Sequence, residues 1–262
     1  MTTPPEPGPA PCHLRGLSIL VTRPSAQAGP LCEQIEAQHG RPIRFPALEI
    51  KGPRDAAAAR RLLQDLHRCD LLIFVSANAV QYGFPLMPES IPLDLPIAAV
   101  GDATARRLDD CGLPATLQPA ERLDSEGLLA LPELQDMQGK RVLIVRGEGG
   151  RPTLGDTLRA RGATLDYVEV YRRQRPQRNL CANWDRMVDV VTVTSADILD
   201  NLLAMLEPCR TELLQTPLVV VSVRLAEQAR ALGFRQVLAA GSALDADVLA
   251  RLCAHARTLP TD

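Results

Sequence analysis

Short apolar runs alternate along this chain with segments in which apolar residues recur at helical spacing. The run Val142–Val145 is too short for a helix and is typical of a strand buried on both faces. A helix is predicted to start at Pro152, and its apolar positions Leu154 and Leu158 lead to a stop at Gly162. Because strands and helices alternate in this way, we expect an α/β fold with parallel sheets and helices on both faces.

The pattern occurs twice. Three pairs of segments overlay at shifts of 119 to 123 residues, the last of them without a gap: Gly16–Arg23 on Gly139–Arg146, Cys69–Val80 on Val188–Leu199, and Pro96–Leu131 on Pro217–Leu252. Both copies also run on from their first helix into a strand, Ile43–Ile50 and Leu165–Tyr171. The sequence therefore predicts two versions of one βα unit, roughly residues 16–137 and 139–262.

Candidate ligand-binding residues follow the predicted strands. In parallel α/β sheets, ligands bind outside the carboxyl ends of the strands. These ends hold Thr22-Arg23, Ser76-Ala77-Asn78, Gly101-Asp102-Ala103-Thr104, Arg146 with the turn Gly147-Glu148-Gly149-Gly150, Ser195, and Ser222-Val223-Arg224. Small residues, hydroxyls and arginines dominate this set. It suits a ligand rich in carboxylates or phosphates, which backbone N–H groups, helix ends and guanidinium groups would hold.

Several of these residues also have a simpler interpretation. Arg23 or Arg146 alone would be a solvated strand end, although their recurrence in both copies favours a role in binding. Ser76 and Ser195 are expected first of all to cap the helices that follow them. The sequence is thus compatible with both a structural and a functional role for these side chains.

The glycine-rich turn is itself ambiguous. Gly147 and Gly149 begin a dinucleotide-binding fingerprint, and Glu169 follows about 20 residues later. The third glycine is absent, however, so nucleotide binding is the weaker alternative. A tight turn that binds nothing is another. No serine–histidine–acid arrangement and no close pair of carboxylates can be recognised in the sequence.

Composition excludes several classes of protein. Hydrophobic residues make up 46% of the 262 residues and the net charge is −2, which describes a globular protein rather than a nucleic-acid binder with a basic stripe. Aromatic residues are only 3%, so little is available for stacking on bases. No apolar run approaches the ~18 residues of a membrane span. Residues 1–13 are proline-rich and are expected to form a disordered tail.

Cysteines and histidines are scattered. The seven cysteines contain no C-x-x-C pair, and the four histidines have no metal-binding spacing. We therefore expect reduced thiols in a cytoplasmic protein, with no disulfide framework, no bound metal and no cofactor.

Taken together, the motifs resemble those of the uroporphyrinogen-III synthase family. The similarity runs from about Leu14 to the C-terminus, and the segments that carry it are ILVTRP, LLIFVSANAV, AAVGDATARRL, DSEGLLAL, RVLIVRGEGGR and VEVYRR. The order and spacing of these segments are specific, although each is weak alone. Ser222-Val223-Arg224-Leu225 departs from the family, since many members have Gly-Pro-Thr-Thr there. The resemblance implies that Ser222 or Arg224 replaces the threonine.

The resemblance also implies an interleaved duplication. Two similar parallel-sheet, flavodoxin-like domains would be joined by a two-stranded linker at residues 45–50 and 166–173. One domain would combine residues 14–44 with 174–262, and the other would be residues 45–173. From self-similarity alone, two sequential domains remain an alternative.

The reaction implied by the resemblance is the cyclisation of hydroxymethylbilane, with inversion of the terminal pyrrole ring and loss of water, in a cleft between the domains. Tyr171, at the tyrosine of VEVY, is the candidate donor to the leaving hydroxyl. The substrate-binding candidates are Ser125 of DSEGLLAL together with Arg23, Ser76, Ala77, Asn78, Gly101, Ala103, Thr104, Arg146, Gly147, Glu148, Gly149, Gly150, Ser195, Ser222 and Arg224.

The implied partners are the substrate and hydroxymethylbilane synthase, by transient channelling. Nucleic acids and membranes are not expected as partners, and the chain is expected to be a monomer. Two other interpretations stay open: a non-catalytic two-domain protein that binds anions, and a regulatory homologue.

Overall fold

Parallel strands form the centre of the fold. A computed structural model describes residues 12–120, 122–177, 181 and 184–260. Its strands are β1 Ser18–Val21, β2 Arg41–Arg44, β3 Glu49–Lys51, β4 Leu71–Phe74, β5 Ile97–Ala99, β6 Arg141–Gly147, β7 Thr164–Gln174, β8 Val190–Val193, β9 Leu218–Val220 and β10 Val237–Ala239. The predicted α/β fold with parallel sheets is confirmed.

Helices connect most of these strands. They are α1 Ser25–Ala37, α2 Ala56–Gln64, α3 Ala77–Gly83, α4 Asp102–Asp110, α5 Ser125–Leu129, α6 Thr153–Ala160, α7 Trp184–Met187, α8 Ala196–Met205, α9 Arg210–Gln215, α10 Val223–Ala231 and α11 Asp245–Thr258. Short 3₁₀ turns lie at Leu66–Arg68, Phe84–Leu86, Pro132–Leu134 and Glu207–Cys209. Helix α6 starts one residue after Pro152, which occupies the N-cap position. None of the described helices combines the length and the apolar content needed to cross a membrane.

The chain forms two compact units. The continuous unit is residues 50–173, and the split unit combines residues up to 49 with residues from 174 onward. The sheet of the split unit has the order β10-β9-β8-β1-β2, and every neighbouring pair in it is parallel. The other sheet has the order β3-β7-β6-β4-β5, and its pairs β7-β6, β6-β4 and β4-β5 are parallel.

Strand β6 shows why the apolar runs become central strands. Its residues Val142–Val145 are buried, and they alternate between the two faces of the sheet. Val142 and Ile144 pack in a cluster with Leu154 and Leu158 of α6, whereas Leu143 and Val145 pack in a cluster with residues of α2, α3 and α4. A sheet covered on both faces needs such uninterrupted apolar strands.

The predicted strand Ile43–Ile50 is wrong as a single element. Strand β2 ends at Arg44 and β3 begins at Glu49. Pro46 lies between them, and proline has no N–H to give to a strand ladder. The N–H groups of Phe45 and Ala47 still bond to the carbonyls of Val21 and Thr22, at 3.0 Å each, so the chain leaves the sheet gradually.

The expectation of reduced thiols throughout is also wrong. Cys12 pairs with Cys253, and Cys181 pairs with Cys209, each pair with Cα atoms 5.4 Å apart. The partners are 241 and 28 residues apart in the chain, so no C-x-x-C spacing could reveal them. The remaining cysteines are free thiols.

The Cys12–Cys253 disulfide shows that the predicted disordered tail is too long. Residues 1–11 of that tail lie outside the described part of the chain. Cys12 is tied to α11, and the ring of His13 stacks on that of His39 with centroids 4.6 Å apart. The prediction of a tail over residues 1–13 is therefore wrong for its last two residues.

Counting thiols checks both disulfides. Protein purified without reductant and then denatured should react with Ellman's reagent at three thiols, those of Cys32, Cys69 and Cys111. After reduction, all seven cysteines should react. Peptide mapping by mass spectrometry of the unreduced protein should identify the linked pairs. Seven reactive thiols before reduction would contradict the pairing.

Candidate active site

A cleft of about 510 Å³ opens at the carboxyl ends of three strands in the continuous unit. Val75 and Ser76 follow β4, Gly147 ends β6, and Tyr171 lies near the end of β7. Because β4, β6 and β7 are parallel neighbours, their carboxyl ends meet at one edge of the sheet. The order of the strands in the sheet thus brings residues that are distant in the sequence to one place.

Part of the predicted residue set lines this cleft. The predicted lining residues are Ser76, Ser125, Arg146, Gly147, Glu148, Gly150 and Tyr171. Other predicted residues of the same unit lie outside the lining: Ala77, Asn78, Gly101, Ala103, Thr104 and Gly149. The remaining predicted residues belong to the split unit: Arg23, Ser195, Ser222 and Arg224. The cleft is also lined by polar residues outside the predicted set: Arg122, Asp124, Glu126, Arg151, Thr153, Tyr167 and Arg173.

A β-bulge places Tyr171. Arg146 pairs with Glu169, but the next residue, Gly147, pairs with Tyr171, so β7 contains an extra residue at this point. Strict alternation would put Tyr167 and Tyr171 on the same face of the sheet. Instead, Tyr167 packs against the cluster around Leu165, while Tyr171 joins the opposite cluster with Val170. The bulge therefore turns the Tyr171 side chain to the α3 side.

Gly147 and Ser76 hold the Tyr171 phenol. A Cβ atom at Gly147 would lie 2.6 Å from two ring carbons of Tyr171, so only glycine leaves room for the ring. The Tyr171 residue is 4% exposed. Its Oη lies 3.2 Å from Ser76 Oγ, and Ser76 Oγ also accepts the N–H of Ala79 at 3.1 Å. The prediction that Ser76 caps the following helix is confirmed.

Arg146 presents a partly unused guanidinium group to the cleft. Its side chain is 11% exposed, and its Cζ lies 3.9 Å from the centroid of the Tyr167 ring. One terminal nitrogen donates to Glu169 Oε1 at 3.3 Å, and the other donates to the Arg151 carbonyl at 3.4 Å. Its Nε is buried and has no hydrogen-bond partner among the described residues. The bonds of the two terminal nitrogens are long, so a ligand carboxylate could compete for these donors.

The glycine-rich turn is anchored from both sides. The N–H of Glu148 donates to the Tyr171 carbonyl at 2.8 Å. The Glu148 carboxylate accepts the backbone N–H of Arg54 at 2.7 Å and lies 3.4 Å from the Arg54 Nε. Gly149 has a φ of +70°, a conformation that favours glycine. Glu148 thus fixes the turn, whereas the sequence predicted it as a substrate-binding residue.

Arg122, Asp124 and Glu126, which also line the cleft, form a local ion cluster. The Asp124 carboxylate accepts N–H groups from Glu126 and Gly127 at the start of α5, and it pairs with Arg122 Nε at 2.6 Å. Arg122 also pairs with Glu126. The Gly127 N–H first, and then Arg122, hold the pKa of Asp124 below its ordinary value. The hydrogen bond to Asp124 likewise raises the pKa of Arg122. Arg122 is therefore committed to these carboxylates.

The split unit uses the corresponding arginine differently. Arg23 is nearly buried and pairs with Asp245, and it also donates to the Ala243 carbonyl at 2.8 Å. Asp245 and Asp124 overlay in the sequence repeat, as do Arg23 and Arg146. The arginine–aspartate pair is thus closed in the split unit. In the continuous unit, Arg146 instead contacts Tyr167 and Glu169, and Asp124 pairs with Arg122.

Of the other predicted residues of the split unit, two are helix N-caps and one is exposed to solvent. Ser195 Oγ accepts the N–H of Ile198 at 3.3 Å, which confirms the predicted cap of α8. Ser222 caps α10 in the same way through Leu225, at 3.2 Å. The Arg224 side chain is exposed in the first turn of that helix. Their predicted role in substrate binding stays a prediction.

Some of the missed residues had a usable signal. Asp124 and Asp245 recur in the repeat at the start of a helix, which marks Asp124 and its neighbours as part of a repeated turn. Tyr167 is one of only three tyrosines and lies four residues before Tyr171. Among the residues that the structure describes, no group of three or more His, Cys, Asp or Glu side chains could hold a metal ion.

The fold and the cleft define an α/β protein with a candidate site at the carboxyl edge of a parallel sheet, lined by both arginines and carboxylates. The family model described as uroporphyrinogen-III synthase HemD matches residues 30–248. A uroporphyrinogen-III synthase of Escherichia coli (strain K12) is 36% identical over 251 residues, which covers 90% of this chain and 99% of the relative. One from Salmonella typhimurium is 36% identical over 245 residues, with the same coverage. The chain belongs to the uroporphyrinogen-III synthase family.

Solved structures support the fold independently. A mutant uroporphyrinogen III synthase from Thermus thermophilus matches with a TM-score of 0.61, at 17% identity, over 92% of this chain and 99% of that chain. A uroporphyrinogen-III synthetase from Helicobacter pylori matches with a TM-score of 0.56, at 16% identity, over 89% and 96%. At this level of identity the likeness shows the fold alone.

The Arg23–Asp245 ion pair should contribute more to the free energy of unfolding than an exposed ion pair does. Replacing Arg23 by alanine leaves the Asp245 carboxylate without its partner, which should lower the free energy of unfolding by about 3 kcal/mol. Urea denaturation should show a lower midpoint with an unchanged slope. Arg210→Ala is the matched control, since Arg210 forms an exposed pair with Glu207 at 3.1 Å and should cost under about 0.5 kcal/mol. Equal midpoints for the two variants would contradict this account of Arg23.

Proposed function

We propose that the chain converts hydroxymethylbilane to uroporphyrinogen III and that the cleft of the continuous unit holds the reacting end of the substrate. Membership of the family makes the chain an enzyme, a lyase of haem and porphyrin biosynthesis. One observation carries the placement: Tyr171 and Arg146 line the same cleft at the carboxyl edge of the sheet, and the terminal nitrogens of Arg146 make only long hydrogen bonds, at 3.3 and 3.4 Å.

The proposed reaction needs little acid–base chemistry from the protein. Hydroxymethylbilane carries eight carboxylates, and a pyrrole nitrogen pushes out its terminal hydroxyl to give an azafulvene cation. Tyr171 donates its proton to the leaving hydroxyl, which departs as water. Attack by the substituted carbon of the last ring gives a spirocyclic intermediate, which fragments and recloses with that ring inverted. The closed ring finally loses a proton, which restores the phenol.

Positioning is the main contribution of the protein in this proposal. Arg146 binds a substrate carboxylate, and the N–H of Gly150, which lines the cleft, binds another. Holding the flexible chain in its reactive geometry accounts for a large share of the rate, because it removes the entropy cost of folding the substrate. Uncatalysed closure, which does not invert the ring, is excluded in the same way.

We further infer an interleaved duplication of two flavodoxin-like domains. It is supported by the order of the strands, since each sheet combines the first two strands of one repeat with later strands of the other. In the split unit β1 lies between β2 and β8, and in the continuous unit β6 lies between β7 and β4. The chain passes between the units at β3 and at the end of β7, the two strands of the proposed linker.

Further expectations complete the proposal. The enzyme acts as a cytoplasmic monomer, and hydroxymethylbilane synthase hands its product over by transient contact. Arg23, Ser195, Ser222 and Arg224 of the split unit stay candidate substrate-binding residues, as do Ala77, Asn78, Gly101, Ala103, Thr104 and Gly149 of the continuous unit. Size-exclusion chromatography with light scattering tests the monomer.

One assay tests the function itself. Enzymatically made hydroxymethylbilane is incubated with the protein, the products are oxidised to porphyrins, and the type I and type III isomers are separated by chromatography. We expect type III product with the protein and type I without it. Type I product alone, from protein with an intact fold, would favour a non-catalytic anion-binding protein.

Tyr171→Phe tests the proposed proton donor. We expect turnover to fall roughly 10²–10³-fold, because general acid catalysis typically contributes such factors. Tyr82→Phe is the matched control. The Tyr82 hydroxyl donates to the Ile50 carbonyl at 2.8 Å and its ring lies 6.1 Å from that of Tyr171, but it does not line the cleft. Wild-type turnover of folded Tyr171→Phe would rule the assignment out.

Arg146→Lys tests the proposed carboxylate anchor. Lysine keeps the charge but loses the planar stack on Tyr167 and the fork of N–H donors. We expect KM for hydroxymethylbilane to rise about tenfold, as for the loss of one charged hydrogen bond. The control is Arg159→Lys, whose guanidinium lies 5.3 Å from the same ring but outside the cleft lining. A KM that changes equally in both variants would contradict the anchor.

A further inference from the structure

The Ser76 hydroxyl lies between the backbone N–H of Ala79 and the hydroxyl of Tyr171. Its Oγ accepts the backbone N–H of Ala79 at 3.1 Å and lies 3.2 Å from the Tyr171 Oη. A backbone N–H can only donate, so Ser76 must act as the acceptor toward Ala79. The proton of Ser76 is thus left for its other neighbour, the phenol oxygen.

The direction of the second hydrogen bond decides what Tyr171 can do. If Tyr171 donates to Ser76, the phenol proton is engaged by the Ser76 oxygen and is not available to a leaving group. If Ser76 donates to Tyr171, the phenol proton is free to point into the cleft. The ring has little freedom to choose another partner, because Gly147 packs against it and the residue is 4% exposed.

We propose that Ser76 is a positioning residue that donates its proton to Tyr171 Oη and so directs the phenol proton into the cleft. Acceptance of the Ala79 N–H polarises the Ser76 hydroxyl and makes it a better donor, as in other hydrogen-bond chains. Once Tyr171 has given up its proton, the Ser76 O–H also stabilises the phenolate. This inference rests on the proposed function, in which Tyr171 is the acid.

A double-mutant cycle tests the connection. Ser76→Ala alone should lower kcat about tenfold to thirtyfold and leave KM nearly unchanged. In a Tyr171→Phe background, which has no phenol to direct, Ser76→Ala should lower kcat no further. If the two effects multiply, Ser76 acts independently of Tyr171 and the proposal is overturned. If Tyr171→Phe alone has wild-type turnover, both the role of Tyr171 as the acid and the role of Ser76 are ruled out. Failure of the Ser76 proposal alone can thus be distinguished from failure of the proposed acid.

A second series of Ser76 variants distinguishes hydrogen-bond donation to Tyr171 from capping of α3. Glycine is nearly as good as serine at an N-cap, whereas alanine is poor. If Ser76 acts only as a cap, Ser76→Gly should be close to wild type and Ser76→Ala should be impaired. The proposal instead expects equal losses of kcat in both variants, and recovery to within about threefold in Ser76→Thr, which keeps the hydroxyl. Near-normal kcat in Ser76→Gly would overturn it.

A cap elsewhere in the same unit supplies the control. Asp55 accepts the N–H of Ala58 at 2.8 Å and caps α2, outside the described cleft. Asp55→Ala should lower the melting temperature as Ser76→Ala does, but it should leave kcat unchanged. A comparable loss of kcat in Asp55→Ala would show that any lost cap in this unit slows the enzyme, and the Ser76 proposal would then fail.

Discussion

The parallel pairing of β6 with both β4 and β7 is the constraint on which the cleft depends. It fixes the carboxyl ends of three strands side by side and so assembles residues from 76 to 171 into one site. The pairing is maintained by the apolar residues of β6, which are buried on both faces of the sheet. A single extra residue in β7 then sets the direction of Tyr171, which the regular alternation of a strand would have sent elsewhere.

Two arginines at equivalent positions of the sequence repeat, Arg23 and Arg146, make different contacts. Arg23 neutralises Asp245 inside the split unit, while Arg146 stacks on Tyr167 and keeps an Nε that no described residue accepts from. The difference comes from the partners: Tyr167 and Glu169 of β7 offer an aromatic face and a carboxylate to Arg146. The repeat therefore marked equivalent positions in both copies, but it did not reveal that their arginines have different partners.

Much of the architecture could be predicted because it follows from local chemistry. Apolar runs such as Val142–Val145 specify buried strands, and serines such as Ser76 specify helix starts. The disulfides could not be predicted, because Cys12 and Cys253 meet only through the path of the whole chain. The anchoring of Glu148 by Arg54 and the bulge beside Tyr171 depend on register between distant segments, which composition and spacing do not contain.

The split unit has a consequence for folding during synthesis. Strand β1 pairs with β8, so Ile19 must wait for Val190, which the ribosome adds 171 residues later. At typical rates of translation that interval is about 10 to 30 seconds. The continuous unit is complete before the split unit has its third strand, so the first strand and helix emerge early and remain without their sheet. Their apolar surface is then exposed to chaperones and to neighbouring nascent chains.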